Sequence, residues 1–266
     1  MAMIDSGERV VVVTGAAAGI GAAVAAALAS DADAISLWDR DPRVHEVARE
    51  LSAGTPASVS SVEVDVTDRS AVGDAFDKLS VEHGSATVVV HAAGIMLAST
   101  GLDTTPEDWD RSMAVNATGV VHVTQRAAAD MVSAGGGAIV VVSSNAASAP
   151  RVGMAAYCAS KAAAAFTRAL ALQVAPHGVR VNLVSPGSTD TPMLRGLFAD
   201  GDQPLTDASH TALLDGDPTA YRLGIPLRRI AAPADIAAAV SFLVSDDARH
   251  ITLHDLRVDG GATLDM

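Results

Sequence analysis

Short runs of β-branched residues alternate with longer, alanine-rich stretches along most of the 266-residue chain. RVVVVT at 9–14, AISLWD at 34–39, residues 59–64, ATVVVH at 86–91, GAIVVVS at 137–143, VRVNLVS at 179–185 and a segment near 255–259 predict seven strands. Apolar residues at helical spacing predict helices near 19–30, 43–53, 68–82, 106–134, 156–175 and 233–245. The strands are continuously apolar, so both faces of their sheet must be covered. That predicts an α/β fold: a doubly wound parallel sheet with helices on both faces. No linker or second core interrupts the rhythm, so the expectation is one domain over 1–266. The interval 187–225 breaks the pattern with Asp200-Gly201-Asp202, Pro204, Asp215-Gly216-Asp217 and Pro218, and reads as a mobile lid or substrate loop.

Composition narrows the class. Hydrophobic residues make up 49% of the chain, enough for a full core without staples. The single cysteine, Cys158, excludes an internal disulfide and fits a reducing compartment. The N-terminus, MAMIDSGERVVVVTG, lacks the order of a signal peptide, and no apolar run reaches the length of a membrane span. A cytoplasmic protein is expected. The formal net charge of −13 argues against a nucleic-acid or anionic-membrane partner, and an anionic substrate would need a locally placed cation.

The first candidate site is Thr14-Gly15-Ala16-Ala17-Ala18-Gly19-Ile20-Gly21, between the first strand and the first helix. Gly15, Gly19 and Gly21 allow a tight turn and close backbone approach to a pyrophosphate at the helix N-terminus, with Ile20 packed among them. The second strand ends at Asp39, where a carboxylate can accept from an adenosine 2′-hydroxyl and repel a 2′-phosphate. NAD is therefore expected over NADP, although Arg40 leaves room for the latter. Asp65 is placed to bond the adenine edge, with Val66 packing beside it. Asp68 in the same VDVTD segment fits a helix cap.

The second site is YCASK, 157–161. The chain has two tyrosines and two lysines, and half of each type stands here. Spacing i, i+4 puts Tyr157 and Lys161 on one helix face. A phenol titrates near ~10, and a nearby ammonium favours phenolate, which suits a tyrosine to acid–base work on a carbinol. Ser144 follows the strand at 137–143, where ligands of such sheets bind. Asn116, in AVNATG, interrupts a helix pattern with a poor helix former.

Together TGAAAGIG, Asn116, Ser144 and YCASK resemble the short-chain dehydrogenase/reductase family over essentially the whole chain. The resemblance implies a Rossmann fold with seven parallel strands, a nicotinamide cofactor and a homotetramer. It makes Tyr157 the acid–base and gives Lys161 the lowering of its pKa and a bond to the nicotinamide ribose. Ser144 positions the carbinol oxygen, and Asn116 supports a proton relay. Pro186-Gly187 and Thr191 resemble the nicotinamide-side loop. One motif departs: the family's Asn-Asn-Ala-Gly is His91-Ala92-Ala93-Gly94 here. Gly94, beside Ala93, keeps the close approach to the adenosine side. The asparagine hydrogen bonds are lost or replaced by His91, read as structural.

Longer strings, among them SSNAASAPRVGMAAY and HITLHDLRVDGGATL, resemble the branch of that family that oxidises a ring carbinol of a cyclohexadiene carboxylate with aromatisation. The implied substrate is the small anionic 2,3-dihydro-2,3-dihydroxybenzoate of siderophore biosynthesis. The alternative is its amine counterpart, dihydro-3-hydroxyanthranilate, in secondary metabolism. A non-catalytic dinucleotide sensor is the remote alternative, disfavoured because Asn116, Ser144, Tyr157 and Lys161 are all kept. Arg151 is the expected carboxylate clamp, with Arg195 and Arg222 as weaker candidates. Met154, Met193 and Leu194 are candidate walls for a flat ring. His250 and His254 run into a strand without an acid cluster, so no metal site is expected. Cys158 is read as a packing residue.

Overall fold

The computed structural model describes residues 8–198 and 201–264. Residues 1–7 of the N-terminal segment and Asp200 of the 187–225 interval lie outside the described residues. Seven parallel strands form one sheet in the order β3-β2-β1-β4-β5-β6-β9. They are β1 (Val10–Thr14), β2 (Ala34–Asp39), β3 (Ser58–Glu63), β4 (Val88–His91), β5 (Gly137–Val142), β6 (Val179–Pro186) and β9 (Asp255–Val258). All seven expected strands are present within two residues of their expected bounds. Two further strands, β7 (Gly216–Asp217) and β8 (Arg222–Leu223), make a small antiparallel hairpin apart from the sheet.

Alternation along the strands builds two cores. Val10, Val12, Val89, Ile139 and Val141 face α3 (Arg69–His83), α5 (Gly119–Ala134) and α7 (Ala165–Val174). Val11, Val13, Val90, Val140 and Val142 face α1 (Gly19–Leu28), α2 (Val44–Ser52) and α10 (Pro233–Val244). Both faces are thus covered, which is why the central strands β1, β4 and β5 carry no polar alternation, while the edge strand β3, SVSSVE, is polar and only partly buried. The chain crosses from one side of the sheet to the other between β1 and β4. Their carboxyl ends diverge there, and the crevice of an open parallel sheet forms at that switch point.

Two helical segments differ from their expected outline. The stretch at 106–134 is α4 (Pro106–Met113), a π-helical turn (Ala114–Thr118) and α5. The stretch at 156–175 divides into α6 (Ala155–Ala162) and α7. The interval 187–225 is more ordered than a loop: it holds α8 (Pro192–Arg195), α9 (Asp207–Asp215) and the β7–β8 hairpin. Thr191 caps α8 through Leu194 N–H, and Thr206 caps α9 through Ser209 N–H, so side-chain caps stabilise elements that periodicity alone does not reveal.

Candidate active site

Two adjoining cavities open at the carboxyl end of the sheet and share Ile20, Ala92, Gly94, Thr191 and Met193. The first is lined by the glycine loop, Asp39, Arg40, Asp65, Val66, Ala93 and Gly94. Gly15 has φ +70°, and a Cβ there would stand 2.6 Å from Ala93 N, so only glycine lets the loop cross the end of β4 this closely. At the start of α1, Ala18 is extended and offers no side-chain cap, and no acid stands in the first turn. Uncapped N–H groups at the positive end of a helix, facing a cavity, suit a pyrophosphate. The residues present therefore fit a dinucleotide.

Asp39 is fixed from both sides. Its Oδ2 accepts from Ala17 N–H at 3.0 Å and its Oδ1 from Asp41 N–H at 3.0 Å. Each oxygen keeps a second lone pair for a ribose hydroxyl. Asp65 accepts from Thr67 N–H and from its hydroxyl, while Asp68 caps α3 through Ser70 and Ala71 N–H. Pro186 and Gly187 line the second cavity rather than the first.

That second cavity brings together Ser144, Arg151, Met154, Tyr157, Lys161, Met193 and Leu194, which lie far apart in the chain. Tyr157 and Lys161 are buried on α6, with the Lys161 Nζ 6.0 Å from the phenol ring centroid. Lys161 Nζ donates to Val142 O at 3.0 Å at the end of β5. Burial lowers its pKa from 10.5 to about 8. Burial likewise holds the Tyr157 phenol above its ordinary value, and a hydrogen bond from Ser144 opposes that rise. In this arrangement burial therefore outweighs the lowering expected from Lys161. Ser144 Oγ accepts from Ala146 N–H at 3.1 Å, which leaves its own proton to donate.

Asn116 sits on the π-helical turn, 1% exposed. The wider turn aims its amide at β4's extension. Oδ1 accepts from Ile95 N–H at 2.9 Å, while Nδ2 donates to Ile95 O at 2.8 Å and Ser160 Oγ at 2.9 Å. Both amide protons are committed to bracing. A Cβ on Gly94 would stand 3.0 Å from Lys161 Nζ and 3.1 Å from Asn116 Oδ1, so glycine there makes room for both. His91 is fully buried, and its Nδ1 pairs with Thr14 Oγ1 at 3.0 Å. Burial and the Lys161 charge push its pKa down to about 3, so the ring is neutral. The Thr14–His91 contact braces β1 against β4.

Of the arginines, Arg195 is paired with Asp190 through two hydrogen bonds of 2.6 and 3.0 Å, and it does not line the cavity. The Asp190 carboxylate, three residues into the interval, is what takes it out of play. Arg151 and Arg222 both line the cavity. Burial and the Arg222 charge lower the pKa of Arg151. No aspartate or glutamate stands among the described lining residues. Sequence reasoning missed Ser160 and Asn145, which lie inside strings it read for other reasons, and the wall formed by Leu197, Phe198 and Leu213. Only the caps at Thr191 and Thr206 signalled that wall.

A family model described as "Enoyl-(Acyl carrier protein) reductase" matches residues 15–263. The chain belongs to the short-chain dehydrogenase/reductase family. It is an oxidoreductase of the class that works on CH–OH groups with a nicotinamide dinucleotide. It is 40% identical to 2,3-dihydro-2,3-dihydroxybenzoate dehydrogenase of Bacillus subtilis (strain 168), over 96% of either chain. It is 38% identical to the protein of the same name from Escherichia coli (strain K12), over 98% of this chain and 99% of that one. A solved short-chain type dehydrogenase/reductase from Mycobacterium ulcerans superposes with a TM-score of 0.84 at 30% identity, covering 96% of this chain and 90% of that one.

Proposed function

We propose that this protein oxidises a ring carbinol of 2,3-dihydro-2,3-dihydroxybenzoate with NAD, giving 2,3-dihydroxybenzoate for siderophore biosynthesis. The observation that carries the reading is the pair of guanidiniums, Arg151 and Arg222, beside Tyr157 in a cavity whose described lining has no carboxylate. Two guanidiniums in one pocket, with the nearest carboxylate influence on Arg151 coming from Asp259 behind the lining, favour an anion, and a planar guanidinium matches a carboxylate bidentately. The names of the two relatives support the same substrate. An amine in place of a hydroxyl finds no side-chain carboxylate to receive it.

The glycine loop, Asp39, Asp65 and Val66 hold the adenosine and pyrophosphate, with Asp39 favouring NAD through its charge. Pro186, Gly187, Thr191 and Lys161 hold the nicotinamide side. When bound, the nicotinamide supplies the hydride acceptor. Ser144 donates to the carbinol oxygen and holds it beside Tyr157. Tyr157, as phenolate, removes the hydroxyl proton. Lys161 and a bound substrate oxygen together offset the burial that keeps the phenol protonated in the free protein. Met154, Met193 and Leu194 flank the ring. The ring ketone so formed tautomerises, its neighbouring ring carbon giving up a proton and its oxygen taking one, and the aromatic ring that results makes oxidation strongly downhill.

The cover over this site is the 187–225 interval, within a single domain spanning the chain. A homotetramer, placed in the cytoplasm, completes the reading. It is supported by the family, by the single cysteine and by exposed Leu102, Trp109, Leu172 and Phe242. Light scattering checks the assembly, where a monomeric mass refutes it. The test of function is absorbance at the reduced-nicotinamide band. Purified protein and NAD are offered dihydro-dihydroxybenzoate and dihydro-hydroxyanthranilate separately. Fast reduction with the first alone is expected; fast reduction with the second alone overturns the substrate assignment.

A further inference from the structure

We infer that Asn145 is a specificity-determining residue whose amide oxygen accepts a hydrogen bond from the substrate hydroxyl that is not oxidised. The inference rests on the dihydrodiol reading above. Asn145 follows Ser144, is 4% exposed and lines the same cavity as Tyr157. Its Nδ2 donates to Asp259 Oδ2 at 3.2 Å and to Thr263 Oγ1 at 3.0 Å. Both amide protons are therefore spent on the turn that follows β9. A flipped amide would set its oxygen against the Asp259 carboxylate, so the orientation is fixed by charge.

The turn itself is rigid. Asp259 Oδ1 accepts from Gly261 N–H at 3.0 Å. A Cβ on Gly187 would stand 2.6 Å from Asp259 Cβ, so β6's end packs directly on the anchor. The remaining amide atom, Oδ1, accepts from no described residue. It is not among the fully buried polar atoms that lack a partner, and Asn145 lines the cavity. Asn145 is the one carboxamide among the described lining residues, in a pocket otherwise supplied by hydroxyls and cations.

Chain adjacency supplies the rest. Ser144 and Tyr157 hold the reacting oxygen. In a vicinal diol the second oxygen lies one carbon away, whichever carbinol reacts. Asn145, one residue along from Ser144, presents a pre-oriented acceptor to that second O–H. An acceptor fixed before binding loses little entropy on making its bond.

The test is calorimetric titration of the NADH-loaded protein with benzoate, 3-hydroxybenzoate, 2-hydroxybenzoate and 2,3-dihydroxybenzoate, which does not depend on turnover. Asn145→Ala should weaken 2,3-dihydroxybenzoate, and one of the two monohydroxy acids, by about tenfold, the scale of a neutral hydrogen bond left unmade. Benzoate and NADH affinities should stay put. Asp259→Asn, which keeps volume and drops the orienting charge, should reduce the same preference to a lesser degree and serves if the alanine variant fails to fold. Equal weakening of all four acids in Asn145→Ala, or none, overturns the inference, as does a wild type without preference for the catechol acid. Failure of the dihydrodiol reading itself registers separately, as absent turnover despite selective binding.

Discussion

Replacing Lys161 with methionine should stabilise the cofactor-free protein while abolishing turnover. Lys161 is buried, and no carboxylate pairs with it among the described residues. Burial brings its pKa from 10.5 to about 8. At 1.36 kcal/mol per pKa unit, keeping that ammonium protonated in the fold costs about 3 kcal/mol at neutral pH. Methionine fills comparable space without charge. The lost bond to Val142 O gives back about 1 kcal/mol. The net gain is about 2 kcal/mol, or a melting temperature raised by roughly 4 °C for a chain of this size. The gap must also depend on pH. A lysine with a depressed folded pKa destabilises wherever both states are protonated, below about 8. Wild-type stability then rises between about 8 and 10.5, where the unfolded chain still holds the proton and the folded one has released it. Thermal unfolding of both proteins without cofactor, from pH 7 to pH 10.5, measures this directly. A variant that melts below wild type at pH 7, or a gap that does not narrow as pH rises, would refute the reasoning.

Tyr157→Phe should lower kcat by about 10³-fold or more, the loss of a general acid–base, while NADH fluorescence titration shows unchanged binding. Arg151→Met should raise KM for the carboxylate substrate by roughly 30- to 100-fold, taking the lower part of the range for breaking a buried charge pair. The melting temperature of the free protein should not fall, because burial and the Arg222 charge outweigh the favourable Asp259 charge at Arg151. A drop of several degrees would mean a structural arginine. Asp39→Asn keeps one acceptor for the loop and removes the charge that repels a 2′-phosphate. The ratio of kcat/KM for NAD over NADP should fall at least about tenfold, and an unchanged ratio would move the cofactor choice elsewhere.

The sequence by itself determined the sheet and the chemistry of each short motif. Uninterrupted valine runs such as Val10–Val13 can only be strands covered on both faces. Gly15 and Gly21 mark the loop because side chains there would strike Ala93 and the loop's own backbone. Tyr157 and Lys161 share a face because a helix repeats every 3.6 residues. Each of these is a local constraint, written over a few neighbouring residues. Tertiary structure decided the rest. It bent the helix at Asn116 into a π turn, because the amide must meet Ile95 and Ser160 at once. Arg195 was paired to Asp190, while Arg151 and Arg222 faced one cavity from segments seventy residues apart. The turn after β9 locked Asn145, over a hundred residues away in sequence. Burial set the pKa of Lys161 at about 8, and burial with the Lys161 charge set that of His91 at about 3, against ordinary values of 10.5 and 6.5. None of these is local: the energy of a charge or an amide depends on what the rest of the chain packs around it, and one-dimensional spacing does not carry that distance.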